Sequence, residues 1–399
     1  VQKDLDLVVM GATGFTGRLV AEVLAAGDAA ARGLGGLRWG LAGRDAGRLA
    51  AVRDAVGAPA GTPLLVADTS VPATLQALVQ RTRLVLSTAG PYQVHGSGLV
   101  AACAAAGTDY VDLCGEPAWM RTMIEAHEAA ARASGARLVF SCGFDSIPFD
   151  LGVQQLQQAF RARYGHPASR VRGRVRTMKG RFSGGTAASL KATLAAAAQD
   201  PRVRSWLRDP FALVPGFQGP PQPSGHQPGV DEALTGAAEE PVWVAPFVMA
   251  PINTKNVHRS NALLGHPWGA DFVYDEMLVT GPGARGEQLA HQVAADRSLA
   301  SDEGPKPGEG PSKAERDAGR YDLLFLGEDA AGHRLRLAVR GEGDPGYAST
   351  SRMVVQAAAC LLGESAATPG GIWTPASALG DPLVARLQAH AGLSFTVED

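Results

Sequence analysis

The sequence is short of cysteine, and its few cysteines are badly spaced for pairing or for metal. Cys103, Cys114, Cys142 and Cys360 form no C-x-x-C pair. That speaks against a disulfide framework or a zinc site, so no metal is expected and a reducing cytoplasm is the natural setting. An excess of charge of one sign is missing too. Lys and Arg number 37 against 39 Asp and Glu, so the basic surplus of a nucleic-acid binder is absent. The opening residues do not read as a signal peptide. Long apolar runs are scarce. Leu84 to Thr108 lacks Asp, Glu, Lys and Arg and is long enough to raise the question of a membrane span. Gly90-Pro91, Gln93, His95 and Gly96 interrupt it, and a strand, loop and helix fit better. No transmembrane segment is expected, and peripheral contact with a membrane stays open.

What is present is a long chain with ample apolar content. Its 399 residues are 45% hydrophobic and 19% charged, enough for two globular domains rather than one core. Gly 49 and Pro 26 promise many turns. The first 150 residues alternate strand-like and helix-like segments, as a doubly wound (Rossmann) parallel sheet requires. Strands are expected at 5–10, 37–42, 64–67, 84–87, 110–113 and 137–141, with helices between them. After a helix at 151–164 the rhythm changes. Strands at 170–178, 242–250, 272–279, 321–326 and 334–340, with an alanine-rich helix at 186–199, suggest an α+β domain on a mostly antiparallel sheet. Residues 209–240 carry six prolines and no period, which predicts a long loop or lid. The expected domains are thus 1–150, 151–345 and a helical segment at 346–399 that packs back on the first.

The stretch VVMGATGFTGRLV (8–20) carries the first chemical signal. Gly11, Gly14 and Gly17 fall three apart between a strand and a helix. A pyrophosphate needs a tight turn, close backbone approach and a helix N-terminus aimed at it, and this arrangement supplies all three. Thr13, Phe15 and Thr16 complete the turn. The second strand ends in Gly43-Arg44, with Arg48 a turn later and no preceding acid. Guanidinium there suits a ribose 2′-phosphate, so NADP(H) is preferred to NAD(H). Asp45 is explained as a helix cap. Asp68, ending the third strand, suits either the adenine or an ordinary turn.

Ligands of such sheets bind beyond the carboxyl ends of the strands. Strand four ends in STAGPY (87–92), where Ala89, Gly90 and Pro91 would follow the cofactor's ribose and nicotinamide. DLCGE (112–116) and SCGFDSIPFD (141–150) end the next two. Tyr92, His95, Cys114, Glu116, Asp145 and Ser146 therefore converge, each with a structural alternative: Asp145, for instance, suits a helix cap. Tyr92 is the preferred proton donor or ring clamp. In the second domain Arg170, Arg172, Arg174 and Arg176 share one strand face, either simply solvated or a docking patch for an acidic carrier or a phosphorylated substrate tail. Lys179 and Arg181, of opposite parity, would point into the cleft, followed by a turn at Ser183–Thr186. Lys255, Asn256 and GDPGY (343–347) are further candidates.

These motifs together resemble the saccharopine dehydrogenase-like oxidoreductases, in particular the bacterial trans-acting enoyl reductase branch. The resemblance rests on GATGFTG (11–17), LAGRD (41–45), STAGPY (87–92), GFDSIPFDLG (143–152), SGGTAAS (183–189), APFVMAPIN (245–253), PKPGEGPS (305–312), GDPGY (343–347) and GGIWTPA (370–376). It implies an NADP-binding domain and a second domain that shapes the substrate pocket, without fixing the reaction. The leading expectation is an NADPH-dependent reductase of an activated C=C in an enoyl thioester or lipid-like substrate. Tyr92, Lys179 and Asp145 are its candidate catalytic groups, and the substrate is a small molecule, free or linked to CoA or a carrier protein. A saccharopine-type C=N reductase and a non-catalytic NADP-binding sensor or scaffold stay open, as does a homodimer.

Overall fold

The computed structural model describes residues 3–27, 33–180, 184–235, 240–300 and 310–398. Strands β1 (Leu5–Met10), β2 (Trp39–Gly43), β3 (Leu64–Val66), β4 (Thr82–Ser87), β5 (Asp109–Asp112) and β6 (Arg137–Val139) alternate with helices. All their pairings are parallel. Every residue of β1 is buried, as expected of a central strand covered on both faces. The crossover helices begin where the sequence provides starts. Asp45 accepts from Arg48 N at the head of helix Ala46–Ala55, and proline occupies the first turn of helices Pro72–Arg81 and Pro117–Ser134.

The second sheet contains β7 (Arg170–Lys179), β8 (Gly229–Val230), β9 (Val242–Pro246), β10 (Val273–Pro282), β11 (Arg320–Glu328) and β12 (Arg334–Glu342). It is antiparallel except where β7 lies parallel to β10. After helix Thr350–Gly363, which packs on helix Phe15–Ala25 and on β4 and β5, come β13 (Gly371–Trp373) and β14 (Leu393–Glu398). The former extends the first sheet and the latter the second. The orders are β13-β6-β5-β4-β1-β2-β3 and β14-β12-β11-β7-β10-β9-β8. The tail is therefore not only helical.

Other elements differ from the sequence reading. Helix Ile147–Tyr164 starts four residues before the expected Leu151, because Pro148 fits its first turn. The strand expected through Ala250 stops at Pro246, and helix Ala250–Leu263 follows. Its buried residues include Asn253, Lys255, Asn256, His258, Arg259, Ser260 and Asn261. A helix whose inner face is polar leaves no apolar period to read. Helix Pro201–Arg208, capped by Asp200, was likewise not anticipated. Among the described residues no helix is long and apolar enough to cross a membrane.

Candidate active site

The carboxyl ends of β1, β2, β4 and β5 lie level, with Met10 beside Ala42 and Ser87, and Ser87 beside Asp112. A cleft of about 1090 Å³ opens above them and runs from the glycine turn to the second domain. At its first end lie Thr13, Gly14, Phe15, Thr16, Arg44 and Arg48. Gly14 heads helix Phe15–Ala25 with no side-chain cap and no acid in the first turn, so its leading N–H groups are left for an anion. Gly11 (φ +84°) and Gly17 shape the turn from below. A Cβ on Gly11 would sit 3.0 Å from Ala89 N, and one on Gly17 only 2.2 Å from Gly11 O. The uncapped helix start, the close-packed turn and two exposed arginines fit a phosphorylated dinucleotide.

The remaining expected cofactor residues fall into two groups. Gly90 lines the cleft, while Ala89 and Pro91 flank it, the Gly90–Pro91 bond being cis. Asp68 accepts from Ser70 N (2.9 Å) and Ser70 Oγ (2.7 Å) at the end of β3, the bonding of an ordinary turn acid.

Tyr92 lines the cleft and is 5% exposed. Its hydroxyl donates to Ser87 O (3.0 Å) and accepts from Leu113 N (3.1 Å). Burial, then the Asp112 and Cys114 charges, pushes the phenol well above its ordinary pKa. Its proton is thus committed to the backbone, and Tyr92 joins the ends of β4 and β5 rather than offering that proton to a substrate. Beside it the buried Glu116 carboxylate accepts from Tyr92 N and Gln93 N, both at 2.8 Å, and from Ser189 Oγ at 2.7 Å. Cys114 is fully buried, accepts from Glu116 N, and is held far above the usual thiol pKa by burial. His95 is exposed at the end of helix Tyr92–His95.

Asp145 is the acid that opens onto the cleft. It does not cap the following helix, whose N-cap is Ser146 with no side-chain capping bond. Its Oδ1 is sealed from solvent and has no hydrogen-bond partner, and burial pushes the carboxyl up to about 7. Ser146 next to it donates to Asn253 Oδ1 (2.8 Å) and accepts from Asn256 Nδ2 (2.9 Å). Asn253 Nδ2 and the Tyr274 hydroxyl in turn donate to Glu276. Burial holds Glu276 well above the carboxylate range, with Asp145 adding to the effect. Ser146 and Asn256 of this buried polar floor are among the sequence candidates; Asn253, Tyr274 and Glu276 are not, because helix Ala250–Leu263 and β10 carry them without a local chemical pattern.

Lys179 is exposed at the end of β7, outside the lining of the cleft. The cause is a bulge: Asp322 pairs with Thr177 but Leu323 with Val175. The extra residue inverts the alternation, so Lys179 ends on the arginine face. Arg181 and Ser183 lie outside the described residues. The arginine row is matched by acids: Arg172 with Glu328, Arg174 with Asp231 and Asp275, and Arg176 with Asp322 and Glu398. That bonding is not the free basic patch a docking role requires. Lys255 donates to Leu207 O, and burial lowers it to about 8. Pro345, Gly346 and Tyr347 of the GDPGY turn do line the cleft, where Tyr347 meets Phe15 edge to face at 4.6 Å. The rest of the second-domain wall mixes the apolar Leu190, Leu194, Leu207, Val248, Met249 and Ile252 with Thr186, Ser189, Thr193, Arg208 and His226.

Residues 7–139 match the saccharopine dehydrogenase NADP-binding domain. A Mycobacterium tuberculosis protein, named provisionally as a trans-acting enoyl reductase, is 41% identical, covering 98% of this chain and 97% of its own. A trans-acting enoyl reductase of Mycobacterium ulcerans is 37% identical over 97% and 96%. The apo saccharopine dehydrogenase (L-Glu forming) of Saccharomyces cerevisiae shares the fold, with a TM-score of 0.57 at 13% identity over 99% and 100% of the two chains. The chain belongs to the saccharopine dehydrogenase-like family and is closely related to the bacterial trans-acting enoyl reductases. It is an NADP-dependent oxidoreductase of that family, acting on an activated C=C or C=N bond.

Proposed function

We propose that the chain reduces the C=C of an enoyl thioester, with Asp145 returning the proton. NADPH, when bound, supplies a hydride to the carbon β to the carbonyl. Arg44, Arg48 and the uncapped helix start hold its phosphates at one end of the cleft. The observation that supports this reading most is the isolated Asp145 carboxyl. A group with a pKa near 7 and a sealed, unpartnered oxygen is suited to carry a proton and release it to the α-carbon. The aliphatic side chains of the second-domain wall, Leu190, Leu194, Leu207 and Ile252, suit an acyl chain. An amino-acid imine would need cations for its carboxylates, and among the described cleft-lining residues on that wall Arg208 is the single arginine or lysine. The thioester is carried by CoA or a carrier protein, and the reaction belongs to the cytoplasm, which suits four free buried cysteines.

The test is NADPH oxidation against matched enoyl-CoA thioesters and imines of amino acids. Turnover confined to the enoyl substrates supports the proposal. Turnover confined to imines transfers the same Asp145 chemistry to a C=N bond. Tight NADPH binding with no turnover of either overturns both choices of substrate.

A further inference from the structure

On the second domain, in residues that line no part of the cleft, His166, Asp329 and His333 bring three ligand atoms to one point. Each lies within 4.8 Å of the others. His166 follows helix Ile147–Tyr164, while Asp329 and His333 sit on the turn between β11 and β12. His166 Nε2 is 3.5 Å from Asp329 Oδ2, and His333 Nδ1 is 2.7 Å from the same oxygen. In a tetrahedral zinc site with bonds of about 2.0–2.2 Å, ligand atoms stand about 3.3 Å apart. The two distances straddle that value.

The orientation of each ligand is fixed by its surroundings. His166 Nδ1 lies 3.2 Å from Pro167 O. Donation there leaves the lone pair on Nε2, facing the Asp329 carboxylate: two electron-rich atoms that need a proton or a cation between them. Asp329 Oδ1 is taken by His333 N at 2.9 Å, so Oδ2 is the oxygen aimed at the rings. The Asp329 side chain is only 8% exposed, against 48% and 47% for the histidines. The His333 ring stacks on Tyr164 at 4.6 Å, and the Tyr164 hydroxyl is anchored to Arg334 O. Phe160 flanks His166, and the Arg163 guanidinium lies over the Tyr164 ring.

We propose that His166, Asp329 and His333 bind one divalent transition-metal ion of the zinc class, with water in the fourth position. Nitrogen and carboxylate ligands of this kind suit zinc, copper or nickel rather than calcium or magnesium. Binding through His333 Nδ1 moves that ring's proton to Nε2. The ion would clip the β11–β12 turn to the end of helix Ile147–Tyr164. Nothing local points to this site, because His166 is far along the chain from the other two ligands and the cysteine spacing addresses a different ligand set.

The experiment is calorimetric titration of zinc sulfate into the metal-stripped full chain, with cobalt(II) absorption as a second readout. One ion per chain, a visible cobalt band, and a rise in melting temperature on the order of 2 °C at hundredfold excess over Kd are expected. Affinity should fall at least tenfold in His166→Ala and in His333→Ala, with Asp329→Asn as a near-isosteric third variant. Circular dichroism establishes that each variant is folded. No binding to the parent chain overturns the proposal, as does binding that survives in the folded variants. NADPH oxidation is not a readout here, so this result stands apart from the enoyl reductase test.

Discussion

Ser189 donates its hydroxyl hydrogen to Glu116 Oε1 at 2.7 Å, joining the loop after β5 to helix Gly184–Gln199 of the second domain. Glu116 is 1% exposed and also holds the N–H groups of Tyr92 and Gln93. One carboxylate therefore sets both the wall of the cofactor cleft and the position of the helix that faces it. Removing Ser189 breaks only the link between domains. Ser189→Ala is expected to cost about 1 kcal/mol of stability and to raise KM for the acyl substrate more than for NADPH. Glu116→Ala also strands two N–H groups and should cost about 2–4 kcal/mol. Urea denaturation with steady-state kinetics on both variants checks the pair.

Asp145 links activity to pH with a definite sign. Burial raises its carboxyl to about 7, so the proton-bearing form prevails below that pH. Reduction should slow as pH rises through 7. Asp145→Asn should lower kcat by about 10²–10⁴ and flatten that limb of the profile. Stability falls with rising pH as well. A folded pKa above the unfolded value means that charging the group opposes folding as pH rises from the unfolded pKa to the folded one. Asp145→Asn should therefore be more stable than the parent chain at pH 8, with the difference vanishing near pH 3. Thermal melts across that range, beside the rate profile, decide it.

Arg44 and Arg48 give a coenzyme test. Each charge-assisted contact to a 2′-phosphate contributes about 1.5–3 kcal/mol, which is about 10–100-fold in affinity. Arg44→Ala and Arg48→Ala are expected to lose that factor in kcat/KM for NADPH and little for NADH. Equal losses with both coenzymes would place the arginines elsewhere.

The three turn glycines should part company on substitution. A Cβ at Gly17 meets backbone 2.2 Å away, whereas at Gly14 the nearest atom is Gly11 O at 3.3 Å. Gly17→Ala is expected to destabilise by about 2–3 kcal/mol. Gly14→Ala should leave the melt almost unchanged and weaken NADPH binding, because its methyl enters the cleft. Fluorescence titration of NADPH alongside thermal melting separates the two effects.

The first sheet was legible because its strands are short apolar runs broken by glycine, proline and capping residues at the required points. Gly11, Arg44 and Asp45 could be placed from order alone. The second half was less so. Arginines 170–176 read correctly as one face, but their acidic partners lie up to 222 residues away, and pairing across a sheet leaves no local trace. One bulged position was enough to turn Lys179 away from the cleft. Tyr92 was placed at the site, but its hydroxyl is occupied by Ser87 and Leu113, an arrangement only the folded chain reveals. Asp145 was named among equals. What sets it apart, an oxygen sealed without a partner, is a property of the folded chain that no local pattern carries.

The placement of β13 and β14 bears on how the protein is made. Gly371–Trp373 borders β6 of the coenzyme-binding sheet, and Leu393–Glu398 borders β12 of the other. On the ribosome, then, the first sheet lacks β13 until residue 373 has been synthesised, and the second lacks β14 until residue 398 has. A nascent chain exposes the edge of β6 to solvent throughout that interval, and a premature stop codon before Gly371 would leave both halves unfinished at once.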